Sequence, residues 1–198
     1  MSLIVMPGQP VASNIDWTID QPAQVNRGEF TGKRRVTLLT AAPRWYATVS
    51  LPPILGEDAA LAWRAFVVDC DGIANRFKVI ACERDQVADN PVVVVDGSGQ
   101  GGRMLRVRGW GSAGTKLRRG HFVTVNEQLL SVQADVVVGA DGRASIAVKP
   151  YIRIATTDGA PVEVKRPYAV MAMSDPKNGW KVGIGQNYGV SFNCEEAF

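Results

Sequence analysis

Hydrophobic and polar residues alternate over much of this chain, and short apolar runs end at Gly, Pro, Asn or Asp. Arg35-Val-Thr-Leu-Leu39 and Arg44-Trp-Tyr-Ala-Thr-Val-Ser50 are rich in β-branched and aromatic residues and predict strands. Thr40-Ala-Ala-Pro43 between them predicts a hairpin connection. One segment changes period. From Gly56 to Cys70 the apolar residues Ala59, Trp63, Phe66 and Cys70 recur at helical spacing, behind the acids Glu57 and Asp58. Asp71-Gly72 supplies a stop, so a helix is expected near residues 57–70. Arg76-Phe-Lys-Val-Ile-Ala81 returns to alternation.

From about residue 87 to 172 the rhythm quickens. Strands are expected at 92–95, 104–108, 121–125, 128–133, 136–138 and 145–149, the spacing of a small barrel or sandwich. The stretches Gly179-Trp-Lys-Val-Gly-Ile-Gly185 and Tyr188-Gly-Val-Ser-Phe192 are strand-like but too short to bury themselves. They are expected to pair with the first block. The predicted fold is therefore mainly β: a sandwich-like core with one packed helix and an inserted small β-barrel or sandwich domain. Residues 1–86 with 173–198 would form the discontinuous core, and residues 87–172 the insertion.

Composition sharpens this division without adding chemistry. The 198 residues are 46% hydrophobic and 21% charged, as expected of a globular chain, and the net charge of +3 is too small to argue nucleic acid. The charge is uneven: residues 87–172 carry eleven Lys and Arg against seven Asp and Glu, and the remainder eleven against twelve. No apolar run approaches the ~20 residues of a membrane helix, and Met1-Ser-Leu-Ile-Val-Met6 is too short for a signal peptide. Cys70, Cys82 and Cys194 are widely spaced and odd in number, and are expected to be free thiols.

Candidate chemistry is sparse. The single His121 excludes any site needing two histidines, and no Gly-x-Ser-x-Gly elbow accompanies it. Gly97-Ser-Gly-Gln-Gly-Gly102 has nucleotide-loop spacing, but the strand-like Arg103-Met-Leu-Arg-Val-Arg108 follows it where a helix would be required. A loop or hairpin connection is expected. The carboxylate neighbours Glu57/Asp58, Asp69/Asp71 and Glu195/Glu196 are explained by helix ends and a solvated tail. No catalytic residue, cofactor or metal is expected. Lys33-Arg-Arg35 and Lys116-Leu-Arg-Arg119 are the basic clusters, and Trp110 stands near Arg106 and Arg108. Trp110, Arg106, Arg108, Trp180 and Tyr188 are the candidate contacts for a glycan or a protein partner.

Several segments together resemble the distal tail or baseplate-hub proteins at the tail tip of long, non-contractile-tailed bacteriophages. They are Arg44-Trp-Tyr-Ala-Thr-Val-Ser-Leu-Pro52, the helix from Gly56 to Asp71, and Arg76-Phe-Lys-Val-Ile-Ala81. Leu117-Arg-Arg-Gly-His-Phe-Val-Thr-Val-Asn126 continues the likeness, as do Val132-Gln-Ala-Asp135, Asp141-Gly-Arg-Ala-Ser-Ile-Ala-Val148 and Pro150. The ending Tyr188-Gly-Val-Ser-Phe192 with Glu196-Ala-Phe198 belongs to the same pattern. The likeness spans roughly residues 17–198 and is one of strands and turns.

It implies a non-enzymatic virion protein that assembles with itself into a ring joining tail tube to tip. It would contact other tail proteins, with the inserted domain facing outward toward them or a host surface glycan. Folding and assembly would occur in the bacterial host cytoplasm, without membrane insertion or specific nucleic acid. Two other readings stand beside it. One is a carbohydrate-binding module stacking Trp110, Trp180 and Tyr188 on sugar rings. The other is a glycan hydrolase using scattered carboxylates.

Overall fold

A computed structural model describes residues 1–39 and 43–198. The fold is mainly β, with a single helix among the described residues. The chain divides into two compact units, one of residues 1–20, 44–79 and 170–198, the other of residues 21–43 and 80–169. The second unit is therefore larger than the expected 87–172 block. It takes in residues 21–43 and 80–86 and stops short of 170, because Val170 to Met173 are buried and continue into the first unit's sheet. Three residues of the expected hairpin connection, 40–42, lie outside the described residues.

The first unit is built on one sheet. Its strands run in the order Leu3–Ile4, Arg76–Ile80, Tyr168–Met173, Asn187–Glu196, Arg44–Ser50 and Asn14–Asp20. The terminal strand Asn187–Glu196 is central, as its short apolar sequence requires. It pairs antiparallel with Arg44–Ser50 from Ser191↔Ser50 to Glu195↔Tyr46, and with Tyr168–Met173 on its other side. Farther along the same strand, Trp180–Gly183 and Ile54–Leu55 pair with its first residues. Alternation decides which side chains face inward: Trp45, Ala47 and Val49 from one strand, and Tyr188, Val190, Phe192 and Cys194 from the other.

The helix Glu57–Asp69 buries Ala60, Trp63, Phe66 and Val67, with Cys70 at its C-terminal end. Trp63, Phe66 and Cys70 are buried as expected, and only Ala59 departs: it is exposed and Ala60 takes its place. Phe66 is the hub. Its ring lies 5.6 Å from Trp63, 5.1 Å from Phe77 and 5.8 Å from Phe192, in the edge-to-face and tilted geometries that aromatic quadrupoles favour. The helix stops where Asp71 and Gly72 both adopt positive φ. Asn75 then donates to the Asp69 carbonyl at 2.9 Å, satisfying one of the last helical acceptors.

In the second unit a six-stranded sheet runs Val162–Glu163, Phe122–Val125, Gln128–Val132, Arg143–Thr156, Gln100–Arg108, Val94–Val95. Its two ends meet. Val95 N–H donates to Ala160 at 2.9 Å and Val162 N–H donates to Val93 at 2.9 Å, which closes the sheet into a small barrel. The fourteen-residue strand Arg143–Thr156 makes this possible by shifting register between Ala147 and Ile152 and again before Thr156. Inside, Val95, Leu105, Val107, Leu117, Val123, Leu130, Val132, Ile146 and Val148 form a continuous aliphatic core. The turn Asn126-Glu127 has both residues at positive φ, the geometry of a tight two-residue hairpin.

Candidate functional site

The five candidate contact residues are divided between the two units. Trp110, Arg106 and Arg108 belong to the second unit, and Trp180 and Tyr188 to the first. Trp110 is only 3% exposed and packs in the barrel core, and its indole N–H has no hydrogen-bond partner among the described residues. Tyr188 faces inward at 7%. Trp180 is half-buried, with the Arg64 guanidinium 5.2 Å from its ring centroid. Stacking on a sugar needs an open ring face, which neither Trp110 nor Tyr188 presents. These tryptophans and tyrosine are core and near-core packing, and the sequence alone cannot separate the two uses of an aromatic residue.

Arg106 is exposed, whereas Arg108 is committed to an ionic lock. Its guanidinium meets Asp158 at 2.6 Å and Asp96 at 3.0 Å, and Arg143 reaches Asp96 at 3.4 Å. Asp158 also accepts the Gly97 N–H at 2.7 Å, and these partners hold its carboxyl down at about 2. The glycine-rich segment is thereby fixed as a hairpin connection between Val94–Val95 and Gln100–Arg108, with Gln100 folded back onto the Asp96 and Gly97 carbonyls. No helix opens there, so the nucleotide-loop geometry is absent from this segment.

His121 sits at a turn where its Nδ1 accepts the Arg118 N–H at 3.3 Å. Burial, with Arg118 and Arg84 adding to it, lowers its pKa. Among the described residues no group of three or more His, Cys, Asp or Glu is placed to hold a metal ion. No helix among the described residues is long and apolar enough to cross a membrane.

All three cysteines are free. Burial pushes Cys70 up to about 11, with Asp69 and Asp71 adding to the effect, and pushes Cys194 up to about 12. Intact protein made without added oxidant should retain the mass of three thiols. In the folded state an alkylating reagent should reach the partly exposed Cys82 first, and Cys70 and Cys194 only on unfolding. Equal labelling of all three in the native state would contradict this burial. Because the folded-state values are raised, the stabilisation they represent is complete below the ordinary thiol value of 9.0. It is lost as pH rises toward about 11 and about 12.

Three other surfaces, which sequence reasoning did not single out, leave apolar side chains uncovered. The first is the sheet edge Asn14–Asp20, which among the described residues pairs only with Arg44–Ser50 and whose inward row Ile15, Trp17 and Ile19 is half-buried. The second is a two-stranded ribbon, Ala23–Arg27 with Arg34–Leu38, exposed at every residue. Its register places Val25, Val36 and Leu38 on one face together with Arg27 and Arg34, and Phe30 at the tip is wholly exposed. The third is the outward stripe of the helix, where Leu61, Ala62, Ala65 and Val68 lie between Asp58 and Asp69. The period-2 run Ile15, Trp17, Ile19 was a legible strand signal. Nothing in the sequence marks which face of a ribbon or helix stays uncovered.

No protein-family model matches the chain, and no curated protein matches it.

Proposed function

We propose that this protein is a structural component of the tail tip of a long, non-contractile-tailed bacteriophage, assembling with itself into a ring between tail tube and tip. The likeness of segments 44–52, 56–71, 76–81, 117–126, 132–135, 141–148, 188–192 and 196–198, with Pro150, to distal tail proteins is the source of this reading. The single observation that supports self-assembly is the seven-residue edge strand Asn14–Asp20 with its half-covered row Ile15, Trp17 and Ile19.

A long edge that carries apolar side chains is a liability in a protein that must stay monomeric, and most such edges are blunted or covered. Here the sheet has this strand at one end and the two-residue strand Leu3–Ile4 at the other. An association that joins unlike surfaces of successive copies is heterologous and closes into a ring when its rotation permits. Other tail proteins would meet the remaining surfaces of the assembled ring.

Sedimentation velocity of the purified chain tests the reading. One discrete species of fixed copy number, persisting on dilution, is expected. A monomer at every concentration tried would remove self-assembly from the account.

A further inference from the structure

Resting on the ring reading, we infer that the exposed ribbon Ala23–Arg27/Arg34–Leu38 is a docking arm whose occupant is a second copy of this chain, seated along the outward face of that copy's helix Glu57–Asp69.

The ribbon cannot stand on its own energetics. A two-stranded hairpin without a covered face is marginal in water, and this one leaves Val25, Val36 and Leu38 between 44% and 52% exposed on a single face, with Phe30 at 100% beyond them. The opposite face, with Gln24, Asn26, Arg35 and Thr37, is polar. Such one-sided patterning marks a surface that is covered in use. Charge narrows what covers it. Residues 21–43 contain Arg27, Lys33, Arg34 and Arg35 against Glu29 alone, and none of the four cations forms an ion pair among the described residues.

The first unit has the complementary character. It carries six Lys and Arg against nine Asp and Glu. Its helix presents Leu61 and Val68, 49% and 62% exposed, with Ala62 and Ala65 between them. Asp58 and Asp69 bracket that apolar stripe, eleven residues apart on one helix face, and neither is ion-paired among the described residues. The ribbon's apolar strip suits the apolar stripe of the helix, and the Arg27/Arg34 pair at one end of the ribbon can meet one of the two aspartates, Asp58 or Asp69, that end the stripe. Apolar burial supplies the attraction, and the charges set the register and reject other partners.

Charge reversal on the full chain tests the contact by sedimentation. The paired variant Arg27→Glu/Arg34→Glu should raise the dissociation constant of the assembly by ~100-fold or more, since like charges then face each other. Asp58→Lys/Asp69→Lys should do the same. All four positions are exposed, so the far-ultraviolet circular dichroism of each folded variant should match the parent.

Mixing the two variants in equal amounts should restore assembly, because each ribbon then finds a helix of opposite sign in an alternating ring. A parent that assembles beside variants that assemble equally well would overturn the ribbon contact and leave the ring reading standing. Variants that dissociate but do not recover on mixing would overturn the helix as the ribbon's seat. Unchanged assembly, with loss of binding to phosphatidylserine vesicles in Arg27→Glu/Arg34→Glu, would give the ribbon to a membrane surface instead. A monomeric parent would defeat the ring reading itself and this inference with it.

Discussion

Replacing Phe66 with Ala is expected to destabilise the first unit by about 3–5 kcal/mol, the range for deleting a buried aromatic side chain. Phe66 is 2% exposed and touches rings from the helix, from Arg76–Ile80 and from the terminal strand, so no single neighbour can move in to fill the space. Phe66→Leu should cost less than Phe66→Ala, because it keeps most of the volume. Denaturant unfolding followed by near-ultraviolet dichroism reports the change. A loss below about 1 kcal/mol for Phe66→Ala would mean that the aromatic cluster is not the core of this unit.

Truncation after Asp175 should have a larger effect still. It removes Trp180–Gly183 and Asn187–Glu196, and the second of these pairs with four other strands. Without it Arg44–Ser50 and Tyr168–Met173 lose their shared neighbour, and buried main-chain groups on both would face no partner. The inward side chains Val190, Phe192 and Cys194 leave with it, as does Glu196, whose Oε2 accepts the Trp45 N–H at 3.3 Å. The first unit should therefore be unfolded in the truncated chain. Amide hydrogen exchange should show protection lost from Arg44–Ser50 and Arg76–Ile80 and kept in Gln100–Arg108 and Arg143–Thr156, whose barrel core is separate. Protection retained at Trp45 and Val49 would contradict the central placement of the last strand.

The sequence disclosed the fold where one physical signal dominated. Arg44–Ser50 alternates cleanly, Val136–Val138 is a short β-branched run, and both strands fall where these signals place them. The helix was visible because four apolar residues at helical spacing cannot serve a strand; three of them, Trp63, Phe66 and Cys70, are buried, and Ala60 stands in for the exposed Ala59. Tyr168–Met173 was harder, since five of its six residues are buried and a strand covered on both faces loses its alternation. The break between the compact units differs from the expected 172 for that reason on one side. On the other, strand signals do not reveal that residues 21–43 leave the first unit's sheet after Asp20.

The candidate contacts were less legible than the fold. A tryptophan near two arginines reads alike whether the ring is open or buried, and Trp110 is buried. Arg108 reads as a free cation until Asp96 and Asp158, twelve residues before it and fifty after it, are seen beside it. The uncovered faces of the ribbon and helix arise from what does not pack against them, which depends on the whole fold.

Electron-microscopic class averages of the purified chain test the central claim most directly. The account predicts closed rings of one rotational symmetry, each with a central opening. A field of single, unassociated particles at concentrations where the tail would form, or open chains of variable length, would contradict it.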